Sequence, residues 1–260
     1  MEFDMKDLLD VVRQATGNKH FTAKNGNEYA IDGDGDVELL RDPLINEPLR
    51  LNQLSGLIDW LSAEGKYVSS YSKQHLTQLM IHVVSPTEVQ VIGGLDSSGA
   101  RPIFATVNAV VDVLPIGRFL SQEEMVILLQ SSFEHDNKRE NKDGRDDRDI
   151  VLQVVSNLRS SDVQQQTDDG ISQAVQINSG VATAANVKVP NPVRLVPFRT
   201  FQEIEQPASK FIFRMRDGME SALFSADNSQ WKVEAKQRIK RYLIKAQQDT
   251  FGEIKYSVIA

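Results

Sequence analysis

The 260-residue chain contains no cysteine. Disulfides, thiolate nucleophiles and cysteine-ligated zinc are therefore excluded at once. No apolar run approaches the ~18 residues that a membrane helix needs. The opening MEFDMKDLLD is acidic and amphipathic and lacks a basic n-region, so it does not read as a signal peptide, and the expected compartment is the cytoplasm. Net charge is −7, which argues against wholesale wrapping of nucleic acid and leaves room only for a local basic patch. The sequence has no GxxxxGK[ST], no GxGxxG after a strand, no HExxH and no histidine near a GxSxG serine, so nucleotide binding by a familiar fold and a hydrolytic triad have no support. Its four histidines, His20, His75, His82 and His135, are scattered without metal-ligand spacing, and His82 reads as a surface or hydrogen-bonded residue in mid-strand.

Hydrophobic residues make up 40% and charged residues 25%, the balance of a globular chain with enough apolar material for a real core. Local signals agree best over residues 193–243. Phe211, Phe213 and Met215 alternate with Ile212, Arg214 and Arg216, the two-residue period of a strand with one buried face. Asp217-Gly218 supplies a tight turn, and SALFS (221–225) supplies the return strand of a hairpin. Asp227 stands three residues before Gln230, a capping-box pattern that opens a helix. Along that helix Trp231, Ala235, Ile239, Tyr242, Leu243 and Ala246 form one apolar stripe. The indole of Trp231 is expected to pack on the Phe211, Phe213, Met215 face. Upstream, 193–198 is an apolar strand, and Pro197 and Pro207 bracket the polar segment 199–206.

The rest of the chain reads in order. Residues 4–15 predict a helix stopped by Gly17, and Asn25-Gly26 marks a hairpin between 21–24 and 28–31. Residues 37–40 and 49–51 add strands, and Asn52 caps a helix that buries Leu54, Leu57, Ile58 and Leu61 and ends near Gly65. Segments 79–84, 88–92 and 102–111 predict an antiparallel meander. Ser121 and Glu124 form a capping box for a helix expected to be buried on nearly all sides, with Phe133 at its end. The charged run 134–149 reads as a mobile surface loop, 150–158 as a helix, and 160–166 as a polar linker. Segments 171–177 and 181–189 form a ribbon of small and polar residues with uncovered edges, of the kind that pairs with another subunit. The expected fold is α+β, with antiparallel sheets, segregated helices, and a C-terminal hairpin followed by an amphipathic helix. Its parts would be 1–159 and 168–260.

The strings PFRTFQEIEQPASKFIFRMRDG and ALFSADNSQWKVEAKQRIKRYL, with HVVSPTEVQV, DDGISQAV and VKVPNPVRLVPFRTF before them, resemble a family of uncharacterised early-region proteins of phages and prophages of Gram-positive bacteria. The resemblance covers most of the chain. It implies a setting among genes for replication and recombination, and it carries over no activity and no catalytic residue. Ser225 and Asn228-Ser229 stand where that family more often shows an acidic residue and a glycine pair, which weakens the idea of that turn as a ligand site.

Three sets of residues are candidates for chemistry. Arg199, Glu203, Glu205, Arg214 and Arg216 read as an intramolecular or inter-subunit ion-pair network, with an anion-binding or partner-binding pocket as the sharper alternative. The last helix carries Lys232, Lys236, Lys240 and Arg241 together with Arg238 and Lys245. At ~100° per residue these divide between flanks and back, as on a solvated surface, and nucleic-acid binding is the alternative. Asp32, Asp34 and Asp36 begin like a calcium loop, but Val37 and Pro43 occupy the places that need glycine and a bidentate glutamate. Around Asn141, Asp143 and Gly144, Arg139 and Ile150 fail the same test. No metal site, catalytic residue or cofactor is therefore assigned. The sequence reads as a non-enzymatic, homo-oligomeric early protein that binds a host or phage component in DNA metabolism or counter-defence, with at most weak nucleic-acid binding and no membrane. An accessory single-stranded DNA-binding protein and a metal-dependent enzyme built on the aspartate clusters are the alternatives.

Overall fold

A computed structural model describes residues 20–22, 28–31, 37–39, 47–63, 79–95, 101–138, 144–157, 163–168, 172–177, 185–216 and 218–260. The expected helix over 4–15, Asp32, Asp34 and Asp36, His75, and Asn141 with Asp143 lie outside the described residues. The fold is α+β. Near the start, β1 (His20–Thr22), β2 (Glu28–Ile31) and β3 (Val37–Leu39) form an antiparallel sheet in that order, which includes the hairpin expected across Asn25-Gly26.

The first core is built on a five-stranded sheet. After β4 (Leu49–Leu51) and α1 (Leu54–Ser62) come the meander strands β5 (Met80–Ser85), β6 (Glu88–Ile92) and β7 (Ile103–Asn108). Alternation drives these strands. Ile81, Val83, Val89 and Val91 are fully buried while their neighbours His82, Val84, Glu88 and Gln90 are only partly so. The sheet is mixed, because β4 joins β7 in parallel and the last strand of the chain, Ser257–Ile259, joins β5 in parallel. Helix α1 covers it with Leu54, Leu57, Ile58 and Leu61.

The second core starts at α2 (Gln122–Ser132), which opens on the expected Ser121–Glu124 capping box. It continues through β8 (Phe133–Glu134), α3 (Asp147–Ser156), β9 (Val163–Asp168), β10 (Ser172–Ile177), β11 (Ala185–Pro190), β12 (Val193–Pro197), β13 (Ser209–Arg216) and β14 (Glu220–Ser225). Strands β14-β13-β12-β8 form an antiparallel sheet, and β11-β10-β9 form a separate antiparallel ribbon. Phe133, Phe211, Phe213, Leu129 and Val151 meet in this core, with Phe133 and Phe211 edge to face at 6.2 Å. The chain closes with α4 (Gln230–Phe251) and β15 (Ser257–Ile259), both packed on the first core through Ile239, Leu243 and Val258. Each core thus draws residues from both sides of the boundary read between 159 and 168. Among the described residues no helix is long and apolar enough to cross a membrane.

Several local expectations need correction. Helix α2 is not buried all round, since Ile127 is 53% exposed; its inner face is Met125, Leu128 and Leu129. The charged run is not simply a loose loop. Its described residues include β8, the buried Asp136 and Asp146, and a second capping box in which Asp146 and Asp149 bond reciprocally, so α3 begins at Asp147. Aspartate at the third helical position does here what glutamate usually does. Part of the polar linker is strand β9. Asp227 is not the cap of α4. That position is Ser229, which with Asn228 adopts left-handed backbone at φ 61° and 49°, a conformation that glycine takes without penalty.

On α4 the buried row is Ala235, Ile239, Leu243 and Gln247, while Val233 is 63% exposed. Ile239→Ala should therefore cost about 2–5 kcal/mol in denaturant unfolding. Val233→Ala should cost less than about 0.5 kcal/mol. Equal losses for the two would place the helix in a different orientation.

Candidate functional site

Residues 198–208 run between the two cores. Their conformation is set by Gln206, a fully polar side chain that is 2% exposed. Its Oε1 accepts from the backbone N–H groups of Arg199 (3.1 Å) and Thr200 (3.3 Å), and its Nε2 donates to the carbonyls of Phe201 (2.9 Å) and Ile204 (3.3 Å). One side-chain amide thus satisfies four backbone groups that a buried loop would otherwise leave unpaired. With the loop closed in this way, Phe201 and Ile204 point into the first core. Phe198 N donates to the Ser132 carbonyl at the end of α2 (3.0 Å), and the Thr200 hydroxyl donates to the Pro86 carbonyl in the β5–β6 turn.

The charged residues of the loop each go to a different partner. Glu203 Oε1 accepts from the Ser55 N–H (3.0 Å) and hydroxyl (3.2 Å). Helix α1 has no cap from its own flank, since Gln53 makes no side-chain cap bond. The expected Asn52 cap is thus replaced by a carboxylate 148 residues away in sequence, which also suits the positive end of the helix dipole. Tyr242 lies near Glu203 and Asp59, and burial first, then those two carboxylates, raises its hydroxyl pKa.

Glu205 binds Lys138 and Arg238. The hydrogen bond from Lys138, then the two cations, outweigh its burial and hold its carboxyl below the ordinary glutamate value. Arg238 also donates to the Glu205 and Gln206 carbonyls and pairs with Glu234.

Arg199 stacks on the Trp231 indole, with its guanidinium carbon 3.9 Å from the ring centroid. It donates to the Ser209 hydroxyl, which in turn donates to Asp227. Burial brings the Arg199 pKa down to about 10, against the pull of Asp227. For Asp227 itself, burial acts upward, but hydrogen bonds from Ser209, Ser225 and the Ser229 N–H outweigh it and leave the carboxyl below its usual value. Trp231 is consequently half-buried under an arginine, and not packed on the Phe211, Phe213, Met215 face as expected.

The remaining pair of the candidate set lies elsewhere. Arg214 and Arg216 sit two apart on one face of β13, and Arg216 pairs with Glu220 across the hairpin while covering the Phe119 ring at 4.2 Å. Arg199, Glu203 and Glu205 are thus neighbours in the chain but diverge in space, and the five residues do not close around one ligand. The intramolecular ion-pair reading fits Glu205 and Arg216. Sequence reasoning missed Gln206, Ser55, Lys138 and Arg238 as their partners, and no local pattern marks these residues.

Two further features stand out. At the start of α3, His135 Nδ1 lies 3.0 Å from Asp146 Oδ2 and 3.7 Å from Asp149 Oδ2, a grouping compact enough for one divalent cation. Asp146 is already engaged, however. It accepts from the Asp136 N–H (2.6 Å) and the Asp149 N–H (2.9 Å), and a helix N-terminus repels cations. Beside it, Arg194 pairs with Asp136 while its own N–H donates to Asp147 (2.7 Å). The network reads as the fastening that holds β8 and β12 to α3.

The second feature is a cleft of about 190 Å³ lined by Val110, Val111, Leu114, Ser132, Phe198 and Thr200. Of its neighbours, Val110 is 71% and Val113 96% exposed. Among known proteins, no family model, no curated sequence and no solved structure matches the chain.

Glu134 and Glu205 make opposite predictions about pH. Burial, then repulsion from Glu205, raises the Glu134 carboxyl, whereas that of Glu205 is lowered. A lowered folded-state value means that Glu205 stabilises the fold above the unfolded carboxylate pKa and loses that contribution as pH falls through the folded value. Glu205→Gln should therefore lower stability at neutral pH by up to ~1 kcal/mol, since the pair is well solvated, and the deficit should close on acidification. Glu134→Gln should cause no loss at neutral pH. Urea titrations at several pH values check both; a Glu205→Gln deficit that is constant with pH would rule out the charge as its cause.

Proposed function

We propose that the protein is a non-enzymatic binding protein that self-assembles and engages a host or phage component. The resemblance described above suggests a setting in phage DNA metabolism or counter-defence, in the cytoplasm of an infected cell. The observation that carries this reading is the exposed valine rim of the 109–115 segment. Val110 and Val113 stand in water beside a cleft of mixed polar and apolar lining, and exposed apolar side chains of that kind gain from being covered. The ribbon β11-β10-β9 supports the same reading. Among the described strands its two outer members are paired on one side only, which leaves edges suited to pairing with a second copy. Of the charged set for which a binding pocket was the alternative reading, Glu203, Glu205 and Arg216 have internal partners, which favours surfaces other than that set for contact with a partner.

Light scattering at micromolar concentration should give a multiple of the 29.1 kDa chain mass. Val110→Asp with Val113→Asp should reduce that mass, with an unchanged melting temperature because both side chains are exposed. A wild-type monomer would remove the self-assembly reading. Pull-down of the tagged chain from infected cells then identifies the partner.

A further inference from the structure

Helix α4 carries six lysines and arginines against two acids, Glu234 and Asp249, in a chain whose overall charge is −7. By angle alone these cations are spread around the helix, but the structure sorts them. Arg238 turns to one side, where it is 14% exposed and committed to Glu234, Glu205 and two backbone carbonyls. The same contact neutralises Glu234. Opposite that side, Lys232, Lys236 and Lys240 follow one another at one-turn intervals, and Arg241 and Lys245 occupy the adjoining outermost row with Val233 and Gln237. All five are at least partly exposed, and none has an ion-pair partner among the described residues. What remains after the internal pairing is a continuous cationic band on one flank and the back of the helix.

We propose that this band binds the phosphate backbone of a nucleic-acid strand. Four residues of α-helix rise about 6 Å, so the Lys232, Lys236, Lys240 row presents charges at intervals comparable to successive phosphates of an extended strand. Arg241 adds a fork that suits phosphate oxygens. The acidic remainder of the chain does not cancel the band, because charges more than about 8–10 Å away are screened at physiological salt. Its effect is to keep binding modest and salt-sensitive. The contacts carry no base readout, since lysine and arginine contacts to phosphate fix position without reading base edges; binding is therefore independent of base sequence. This inference stands apart from the self-assembly reading and rests on α4 alone.

The test is fluorescence anisotropy with labelled oligonucleotides, single-stranded and duplex, titrated with the full-length protein at increasing salt. Five phosphate contacts predict a slope of log K against log salt of about −3 to −4 for a single strand and somewhat steeper for a duplex. Comparing the two forms tells which one the band prefers. Lys240→Glu with Lys245→Glu should weaken binding at least about tenfold at low salt and flatten the slope. Arg50→Glu with Arg118→Glu changes net charge equally at exposed sites off the helix and should leave binding close to wild type. Circular dichroism confirms that both variants fold, and Lys240→Gln with Lys245→Gln substitutes if the reversal does not. The proposal is overturned by absence of binding at low salt, by equal losses in the two double variants, or by binding to anionic lipid vesicles without binding to either oligonucleotide.

Discussion

The rest of the structure depends on one buried amide. Gln206 gathers four backbone groups of residues 199–204 onto its side chain, and this lets a polar loop pass through the interior between two apolar cores. Leaving those groups unpaired would cost on the order of 1–3 kcal/mol each, so the loop has one acceptable conformation. That conformation aims everything else. Phe201 and Ile204 enter the first core, Phe198 bonds to the end of α2, Glu203 caps α1, Glu205 reaches Lys138 and Arg238, and Arg199 covers Trp231. A segment of about ten residues thereby touches the meander sheet, both helices that cover it, and the second core. Three of the five charged residues singled out in the sequence, Arg199, Glu203 and Glu205, fasten this joint, while Arg214 and Arg216 lie on β13 away from it.

The same arrangement accounts for the surface. Internal pairing draws Arg238, Glu234 and Glu205 together on one flank of α4, which leaves the lysines of the opposite flank without counter-charges. An acidic protein thus acquires one basic face. On the other side of the loop, Phe198 and Thr200 line the cleft whose neighbours Val110 and Val113 stay in water. Packing at the joint and the exposure of neighbouring surface are therefore linked.

What could be read from the residues was what residues settle with near neighbours. The β13–β14 hairpin, the meander β5-β6-β7 and the Ser121–Glu124 box all follow from spacings of two to four residues. Illegible features depend on distant partners. Glu203 serves a helix 148 positions away, β4 and β15 join their sheet in parallel, and a glutamine beside a proline gives no sign that it will be buried. Ile127 shows the converse. An apolar stretch looked wholly buried, yet α2 has only one partner face and leaves that isoleucine in solvent. For the candidate site, the loop and three of its charged residues were legible as important, whereas their outward or inward direction was not, because direction is decided by Gln206.

The most direct test of this account is hydrogen exchange on Gln206→Leu, which keeps the volume and apolar contact but removes all four hydrogen bonds. The account predicts lower global stability and a joint loss of protection in β5 and β6 of the first core and in β13 and β14 of the second, together with fast exchange at Arg199 and Thr200. Faster exchange confined to residues 199–206, with both cores protected as in the wild type, would contradict it.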